Sequence, residues 1–331
     1  MKSRVVDNIN DISAKDWDHC ASDSKNPFCS HGFLSALEES GSVNAETGWH
    51  PQHIILENDK NTVGVMPLYL KNHSQGEYVF DHGWANAYQQ AGGNYYPKLQ
   101  CSIPFSPVTG RRLLTTGTEN KKLLLEASIN HAKQLRISSL HFTFIENDDF
   151  DVMTSLGLLH RQDQQFHWLN DGYRGFNDFL ETLSSRKRKN INKERKTSLE
   201  NGLVIEWIKA EDIKEHHWDH YYEFYVSTAN RKWGRPYLNR EFFSLLSKNI
   251  PKNLLLIMAK RDDRYIAGAL NLIGENTLYG RYWGATEYHK CLHFELCYYQ
   301  AIEFAIKHKL SKVEAGAQGD HKIARGYIPM A

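Results

Sequence analysis

The sequence predicts a mixed α/β fold in two domains, because the two halves of the chain repeat one order of elements. In each half, two apolar runs flank a polar turn, as in an antiparallel hairpin, and an amphipathic helical segment and one further strand follow. Apolar residues make up 41% of the 331 residues and charged residues 24%. This is the composition of a globular protein, and the chain is long enough for two domains.

The N-terminal half supplies the first copy of this order. Residues 52–57 and 62–70 are predicted to be strands joined by the turn 58–61. Further on, apolar residues with helical spacing predict a helix around 125–135, and residues 139–145 are predicted to be the next strand. We place the domain boundary near Asn170, so that the two domains comprise residues 1–170 and 171–331.

The C-terminal half supplies the second copy. It opens with a predicted long charged helix at 172–201, in which Leu180, Leu183, Lys187 and Ile191 share one face. Three strands are predicted at 254–259, 265–273 and 277–283, followed by an amphipathic helix at 292–310 and a short strand at 311–315.

Charge and composition exclude several classes of protein. The formal net charge of +1 gives no global attraction to nucleic acid or membranes. No apolar run reaches the roughly 18 residues of a membrane span, and the polar N-terminus lacks the apolar core of a signal peptide. The five cysteines form no Cys-x-x-Cys pair, which indicates free thiols and a cytoplasmic protein. The 17 histidines form no metal-binding motif, so no metal is predicted.

Polar residues are concentrated after the last two predicted strands, which is where open α/β sheets bind ligands. Arg281, Tyr282 and Trp283 lie on the first of these strands, and His293 and Glu295 lie at the start of the following helix. The last strand is followed by Glu314, Gln318, Asp320, His321, Lys322 and Arg325. Gly316 and Gly319 in this loop allow a ligand to approach the backbone closely. We therefore predict the main site here, although solvated surface charges are the alternative.

A basic segment at 184–196 carries seven basic residues against Glu194 alone. The basic groups that are predicted to cover the helix surface include Arg186, Lys187, Arg188, Lys189 and Lys193. Such a surface suits the pyrophosphate of coenzyme A, a tRNA backbone or a lipid-linked precursor, although a solvated helix face is the commoner reading. No aromatic residues alternate with these charges, and no DNA partner is predicted.

A third group combines aromatic and ionisable residues in the N-terminal half, namely Tyr78, Asp81, His82 and Trp84. Rings beside ionisable groups are typical of a pocket wall that grips a ring-bearing or extended substrate. Ordinary core packing is the alternative.

Several segments resemble the FemAB-like predicted N-acyltransferases of the GNAT superfamily. The C-terminal ones are Tyr-Gly-Arg-Tyr-Trp-Gly at 279–284, Leu-His-Phe-Glu-Leu-Cys-Tyr-Tyr-Gln-Ala-Ile at 292–302, residues 314–322, and Ala-Arg-Gly-Tyr at 324–327. The N-terminal ones are residues 73–81, Tyr-Tyr-Pro-Lys-Leu at 95–99 and Pro-Val-Thr-Gly at 107–110. The resemblance covers residues 26–327. More distantly, the second half is similar to Fem peptidyltransferases and CelD-type acyltransferases.

The resemblance implies tandem GNAT-like domains that transfer an acyl group from a small-molecule donor to an amine. The resemblance does not identify the substrates, and we predict acyl-CoA as the donor, a co-substrate and not a tightly bound cofactor. Because acyl transfer to an amine needs a base for the ammonium proton, we predict Glu314 or His321 as that base. The predicted donor contacts are Arg281, Trp283, Gly316, Gln318, Gly319, Lys322 and Arg325, and the predicted acceptor or pocket residues are Tyr78, Asp81, His82, Trp84, Tyr282, His293 and Glu295. Relatives continue beyond residue 331, so the resemblance also implies a further C-terminal element.

Two alternatives remain open at this point. Neither half shows the Gln/Arg-x-x-Gly-x-Gly/Ala loop with which ordinary acetyltransferases bind a pyrophosphate, which favours considering a second donor. That donor is an aminoacyl-tRNA, as in Fem relatives that modify cell-wall precursors. The other alternative is a non-catalytic protein that uses this fold to bind an anion or a nucleic acid.

Overall fold

The computed structural model of the chain describes residues 1–200, 202–232, 234–316 and 319–331, so the predicted donor residue Gln318 lies outside the described residues. The chain forms two compact units, Met1–Arg161 and Gln162–Ala331. The second unit begins earlier than the boundary predicted near Asn170, because the strand Gln165–Leu169 pairs with strands of the C-terminal unit.

The N-terminal unit, whose residues are all described, contains two four-stranded sheets. Its strands are β1 (Lys2–Val6), β2 (Trp49–Pro51), β3 (His53–Asn58), β4 (Asn61–Met66), β5 (Leu68–Lys71), β6 (Lys98–Cys101), β7 (Leu114–Thr115) and β8 (Leu140–Phe142). Its helices are α1 (Ala14–Ala21), α2 (His31–Glu39), α3 (His82–Gln90), α4 (Glu119–Leu135) and α5 (Asn147–Ser155). The sheet orders are β1-β3-β4-β7 and β2-β5-β6-β8, and apolar residues of β3–β6 pack on α4 to form the core.

The C-terminal unit contains, within its described residues, one seven-stranded sheet in the order β10-β11-β12-β13-β14-β9-β15. These strands are β9 (Gln165–Leu169), β10 (Val204–Lys209), β11 (Leu254–Arg261), β12 (Arg264–Ile273), β13 (Thr277–Ala285), β14 (Lys312–Glu314) and β15 (Ile328–Met330). The helices are α6 (Phe176–Glu181), α7 (Ser185–Ser198), α8 (Glu215–Lys232), α9 (Arg240–Asn249), α10 (Leu292–Phe294) and α11 (Gln300–Lys307).

The predicted fold class is confirmed. Each unit has antiparallel strands, then a helix, then a strand that runs parallel to its neighbour. In the N-terminal unit, α4 leads to β8, which lies parallel to β6. In the C-terminal unit, α11 leads to β14, which lies parallel to β13. This is the order of elements that the apolar pattern predicted for both halves of the chain.

Some element predictions were wrong in detail. The long helix predicted at 172–201 is two helices, because Ser184 adopts an extended conformation and its side chain caps α7 by accepting from the Lys187 backbone N–H. The helix predicted at 292–310 is α10 and α11 joined by the π-helical turn Glu295–Tyr299. The strand predicted at 62–70 is interrupted at Pro67, which has no N–H to donate to a ladder.

Two irregularities in β13 shape the edge where β14 ends. β13 and β14 pair in parallel only up to Tyr279 and Glu314, after which β13 continues to Ala285 paired with β12 but not with β14. Within that continuation, a bulge sets Arg281 and Tyr282 opposite a single residue of β12. The carboxyl end of β14 therefore lies beside the part of β13 whose regular pairing is interrupted.

Gly284 of β13 lies where α8 packs closely on the sheet. A Cβ atom at this position would lie 2.1 Å from the carbonyl oxygen of Phe224 in α8, and a backbone atom cannot rotate away. We expect Gly284→Ala to lower the free energy of unfolding by about 2–3 kcal/mol, measured by urea denaturation.

The matched control for this substitution is Gly175→Ala. Gly175 is extended, and a Cβ atom there would meet nothing within 4 Å, so we expect a change within about 0.5 kcal/mol. Equal unfolding midpoints for the two variants would contradict the close packing of α8 on β13.

Candidate functional site

Five ionisable side chains meet where β14 ends, and we call them the Glu314 cluster: Glu314, Arg281, His167, Lys312 and Lys322. Glu314 is 1% exposed. Its Oε1 lies 3.0 Å from Lys312 Nζ and 3.9 Å from His167 Nε2, and its Oε2 lies 3.6 Å from Arg281 Nη2. These are ion-pair distances without hydrogen-bond geometry, so neither carboxylate oxygen makes a hydrogen bond to another described residue.

The strand register brings these groups together. Glu314 lies opposite His167 of β9 on one side and opposite Tyr279 of β13 on the other. Arg281 follows two residues after Tyr279, in the bulge, where its side chain is 3% exposed. Side chains from three strands thus surround one carboxylate.

The Glu314 cluster holds more positive than negative charge. Burial, and then the nearby charge of Arg281, lower the pKa of Lys322 to about 8, so this amine remains mostly protonated at pH 7. Burial likewise lowers the pKa of His167, which is therefore a neutral imidazole at pH 7, and its Nε2 makes no hydrogen bond to another described residue. Three cations around one carboxylate favour the binding or the formation of a further anion.

The loop after β14 depends on its glycines. Gly316 has φ 80° and Gly319 has φ 109°, conformations that residues with a side chain rarely adopt. A Cβ atom on Gly319 would also lie 2.4 Å from the His321 ring. This backbone path lets Lys322 turn back into the unit, where its Nζ donates to the Gly316 carbonyl at 3.0 Å. The predicted residues Gly316 and Lys322 are therefore in direct contact.

His321 belongs to an aromatic wall and not to the Glu314 cluster. Its side chain is exposed, and its Nε2 lies 2.9 Å from the Tyr298 hydroxyl. The rings of Phe294 and Tyr298 lie 5.7 Å from the His321 ring, and His293 contacts both Tyr298 and Trp283. Three of the predicted residues, Trp283, His293 and His321, thus form one surface.

A cleft of about 280 Å³ opens beside the aromatic wall. It is lined by Trp283 and His293 together with Arg231, Tyr288 and other residues of α8 and the 285–292 segment. Tyr282 lies on the α8 side of β13, where its carbonyl accepts from the Tyr221 hydroxyl and its ring contacts Tyr225.

Two predicted site residues are engaged in ion pairs with α7. Arg325, predicted to contact the donor, donates to Glu194 at 2.7 and 3.1 Å and stacks over the Phe294 ring. Glu295, predicted to line the acceptor pocket, is fully buried and accepts from Arg195 at 2.9–3.2 Å. Both residues therefore attach α7 to the rest of the unit.

The outer surface of α7 carries the predicted basic patch. Arg186, Lys189 and Lys193 are exposed, and Lys187 and Arg188 are half-buried. Lys187 Nζ donates to the Ile323 carbonyl at 3.2 Å, so this surface adjoins the loop after β14. No described acidic residue pairs with the other four, and the first turn of α7 contains no acidic residue to balance the positive end of the helix dipole. A bound anion would neutralise part of this positive charge on α7.

The remaining predicted residues lie in the N-terminal unit. Asp81 is buried, and Lys98 Nζ donates to its Oδ2 at 2.5 Å. His82 and Trp84 are exposed on α3, and Tyr78 is half-buried with φ 57°. Sequence reasoning missed His167 and Lys312 of the Glu314 cluster. A histidine inside the apolar strand Gln165–Leu169 was the signal that could have identified the first of them.

The described residues contain no group of three or more His, Cys, Asp or Glu side chains placed to hold a metal ion. In the same part of the chain, no helix combines the length and the apolar character that crossing a membrane requires.

Comparison with known proteins gives a family. The family model FemAB-like, described as peptidoglycan biosynthesis/recognition, matches residues 8–331. No curated protein matches the chain at significant similarity.

Solved structures share the fold at low sequence identity. FemX has 13% identity and a TM-score of 0.57, covering 99% of this chain and 95% of that one. A conserved protein of unknown function from Bacteroides thetaiotaomicron has 14% identity and a TM-score of 0.55, covering 99% and 96%. L-PGS from Bacillus licheniformis has 9% identity and a TM-score of 0.54, covering 89% and 79%. At these identities the similarity shows the fold alone.

The assignment of Glu295 to the attachment of α7 predicts a specific loss of stability. Glu295→Ala removes a fully buried partner of Arg195, so we expect the free energy of unfolding to fall by about 2–3 kcal/mol. Glu303→Ala is the matched control, because Glu303 contacts the same guanidinium but its side chain is 40% exposed, and we expect a loss below about 1 kcal/mol. Chemical denaturation measures both, and equal losses would contradict the assignment.

Proposed function

Because the chain belongs to the FemAB-like family, we propose that it is an N-acyltransferase that moves an acyl group from a phosphate-bearing donor to an amine. The Glu314 cluster carries this proposal. It combines an unneutralised excess of buried positive charge with a carboxylate and a neutral imidazole that make no hydrogen bonds to described residues. Acyl transfer needs both kinds of group, cations for the oxyanion and bases for the ammonium proton.

The reaction forms one bond and breaks another. The amine nitrogen attacks the acyl carbonyl carbon, and the carbonyl oxygen becomes an oxyanion in the tetrahedral intermediate. Lys322 and Arg281, both almost fully buried, would stabilise this oxyanion, because a cation acts more strongly where water is excluded. Collapse of the intermediate then breaks the bond to the leaving group, a thiolate or a ribose oxygen, which takes up a proton.

The proton of the attacking ammonium needs an acceptor. Of the two predicted bases, Glu314 lies inside the charge cluster, whereas His321 lies on the exposed aromatic wall. We propose that Glu314 accepts the ammonium proton. The neutral imidazole of His167, whose Nε2 lies 3.9 Å from Glu314 Oε1, can then accept the proton from Glu314. The Tyr298–His321 pair and the adjoining cleft would then position the substrates.

The donor is proposed to bind through its phosphates on α7. Exposed Lys189, Lys193 and Arg186 lie on the helix whose Lys187 contacts the loop after β14. Acyl-CoA carries suitable phosphates and is our first candidate. An aminoacyl-tRNA shares this chemistry, and the length of the basic surface along α7 favours it as the second candidate. The five free thiols fit a reaction in a reducing compartment such as the cytoplasm.

The role of Lys322 predicts the pH dependence of the reaction. Its pKa of about 8 is below the ordinary value of 10.5, so the ammonium form is present below pH 8 and is lost as the pH rises through 8. We expect kcat/KM to fall over that range. Lys322→Arg should retain activity above pH 8. Lys322→Met should lose about 100- to 1000-fold below pH 8, and its deficit should shrink above pH 8, where the parent has itself lost the ammonium form. An unchanged profile in Lys322→Arg would contradict the role.

The lowered pKa of Lys322 also makes the stability of the fold depend on pH. Between about pH 8 and 10.5 the unfolded chain binds a proton at Lys322 that the folded chain has released. The contribution of this group to stability is therefore least favourable below pH 8 and improves as the pH rises through this window.

Direct binding measurements test the donor class. We would titrate the protein with coenzyme A by calorimetry, and with deacylated tRNA by fluorescence anisotropy at several salt concentrations. We expect saturable binding of one ligand, and for tRNA a steep loss with salt. The double variant Lys189→Glu with Lys193→Glu should weaken binding of that ligand by about tenfold or more.

The matched control reverses two exposed lysines elsewhere, Lys15→Glu with Lys60→Glu, and should leave binding unchanged. Coenzyme A binding alone would identify an acyl-CoA donor, and tRNA binding alone an aminoacyl-tRNA donor. If the folded protein binds neither ligand, the proposal of a phosphate-bearing donor is wrong.

A further inference from the structure

The cleft beside the aromatic wall contains a cation that no described carboxylate neutralises. We call this space of about 280 Å³ the Trp283 cleft. Arg231, near the end of α8, lies on its wall and forms no ion pair with a described residue. A positive charge that is fixed on the wall of a cleft attracts a complementary anion. The rest of the wall then decides which anion fits.

Hydrogen bonds hold the Arg231 guanidinium in one position. Its Nε donates to the Ser227 carbonyl at 3.2 Å, and its Nη2 donates to the Ala285 carbonyl at 3.0 Å and to the Thr228 hydroxyl at 3.3 Å. The third nitrogen, Nη1, donates to no described residue. Because the guanidinium is already held, little side-chain entropy is lost when Nη1 binds a ligand oxygen.

The carboxylate that lines the Trp283 cleft already has partners. Glu287 accepts from Arg261 at 2.9 Å and from Arg264, and its Oε2 lies 3.2 Å from His289 Nε2. The bond with His289 and the charges of Arg261 and Arg264 hold the pKa of Glu287 below its usual value, so it is ionised at neutral pH. Since these three groups neutralise Glu287, the unbalanced charge of the cleft is that of Arg231.

The rest of the wall is mainly aromatic and apolar. Trp283, Tyr288, Leu292 and His293 line it, and the rings of Trp283 and His293 lie 5.2 Å apart. No described lining residue is a lysine, so the wall suits a monoanion with an apolar body better than a phosphate, which usually recruits several cations. The volume lies just below the usual range for small-molecule sites, about 300–1,000 Å³, and suits a molecule of the size of an amino acid.

The Trp283 cleft adjoins the Glu314 cluster. Trp283 follows Arg281 by two residues on β13, a separation of about 7 Å along a strand. The His293 ring contacts the rings of both Trp283 and His321, and Lys322 is the next residue after His321. A small ligand in the cleft therefore lies next to the groups that would carry out the transfer.

We propose that the Trp283 cleft binds a small apolar amino acid through its carboxylate. Nη1 of Arg231 donates to a carboxylate oxygen, and Trp283 and Leu292 pack against the apolar side chain. The role of this ligand rests on the proposed function: it is the acceptor, and its amine faces the Glu314 cluster. Arg231 is then a specificity-determining residue that selects amines carrying a carboxylate.

Two matched pairs of probes test this proposal without any acyl donor. We would titrate the full chain with L-leucine and 3-methylbutylamine, and with L-phenylalanine and 2-phenylethylamine, by calorimetry and by saturation-transfer NMR. In each pair the amine is the amino acid without its carboxylate. We expect at least one amino acid to bind saturably, and its matching amine to bind about tenfold or more weaker.

Arg231→Gln tests whether the carboxylate contacts this guanidinium. It should weaken binding of the amino acid by about tenfold or more and leave binding of the matching amine unchanged, because the amine lacks the group that Arg231 contacts. A general disturbance of the cleft would weaken both ligands. Arg174→Gln is the matched control, since Arg174 is an 89% exposed arginine of the same unit that does not line the cleft, and it should leave both ligands unchanged. The proposal is overturned if neither amino acid binds, if the members of each pair bind equally, or if Arg231→Gln weakens both members equally.

Transfer kinetics separate this proposal from the proposed function. In an active enzyme, Arg231→Gln should raise KM for the amino acid and leave kcat nearly unchanged, because the carboxylate contact is the same in the ground state and the transition state. Transfer that is equally fast to both members of each pair would overturn the acceptor role and leave the proposed function standing. Arg231-dependent binding in a protein that transfers no acyl group would support the carboxylate site and contradict the proposed function.

Discussion

Glu314 is a carboxylate buried among cations, and the arrangement of the C-terminal unit around it depends on that interaction. An ionised carboxylate with almost no solvent contact is stable only where positive groups surround it. Arg281 and Lys312 form ion pairs with it because β13 bulges beside the end of β14. Lys322 donates to the Gly316 carbonyl and lies close enough to Arg281 for the two charges to interact. Together, these features of the backbone collect more positive charge than one carboxylate can balance.

The helix α7 connects this cluster to the surface. Ion pairs attach its inner side to the unit, among them Arg195 with Glu295 of the π-helical turn and Glu194 with Arg325 of the segment that carries Lys322. The hydroxyl of Tyr299 donates to the same Glu194. Because α7 carries so many like charges, tertiary contacts must stabilise it more than its own propensity does. The residues that hold the helix are thus bonded to the segments that form the candidate site.

The sequence predicted the fold well and the site in part. Apolar periodicity identified the hairpins of β3–β4 and β11–β12 and the order of helix and final strand, because these depend on local pattern. It failed at Ser184, where a capping side chain ended one predicted helix, and at the π-helical turn, which no spacing rule reveals. Arg281, Glu314 and Lys322 were predicted as site residues because polar residues are concentrated at and after the ends of the last two strands that the pattern predicts. His167 was missed because strand pairing between β9 and β14 is non-local. Arg325 and Glu295 were predicted to contact ligands, because nothing in the sequence shows that each forms an ion pair with an oppositely charged residue of α7.

The most direct test of the account is the transfer rate of Glu314→Gln. Transfer from the donor that binds to a panel of primary amines would be followed by mass spectrometry, with the folded fraction measured in parallel by circular dichroism. The substitution keeps the shape of the side chain but removes both its charge and its capacity to take a proton. If Glu314 accepts the ammonium proton, the rate per folded molecule falls by about 100-fold or more. A rate per folded molecule equal to that of the parent would show that the buried charge cluster serves the fold alone.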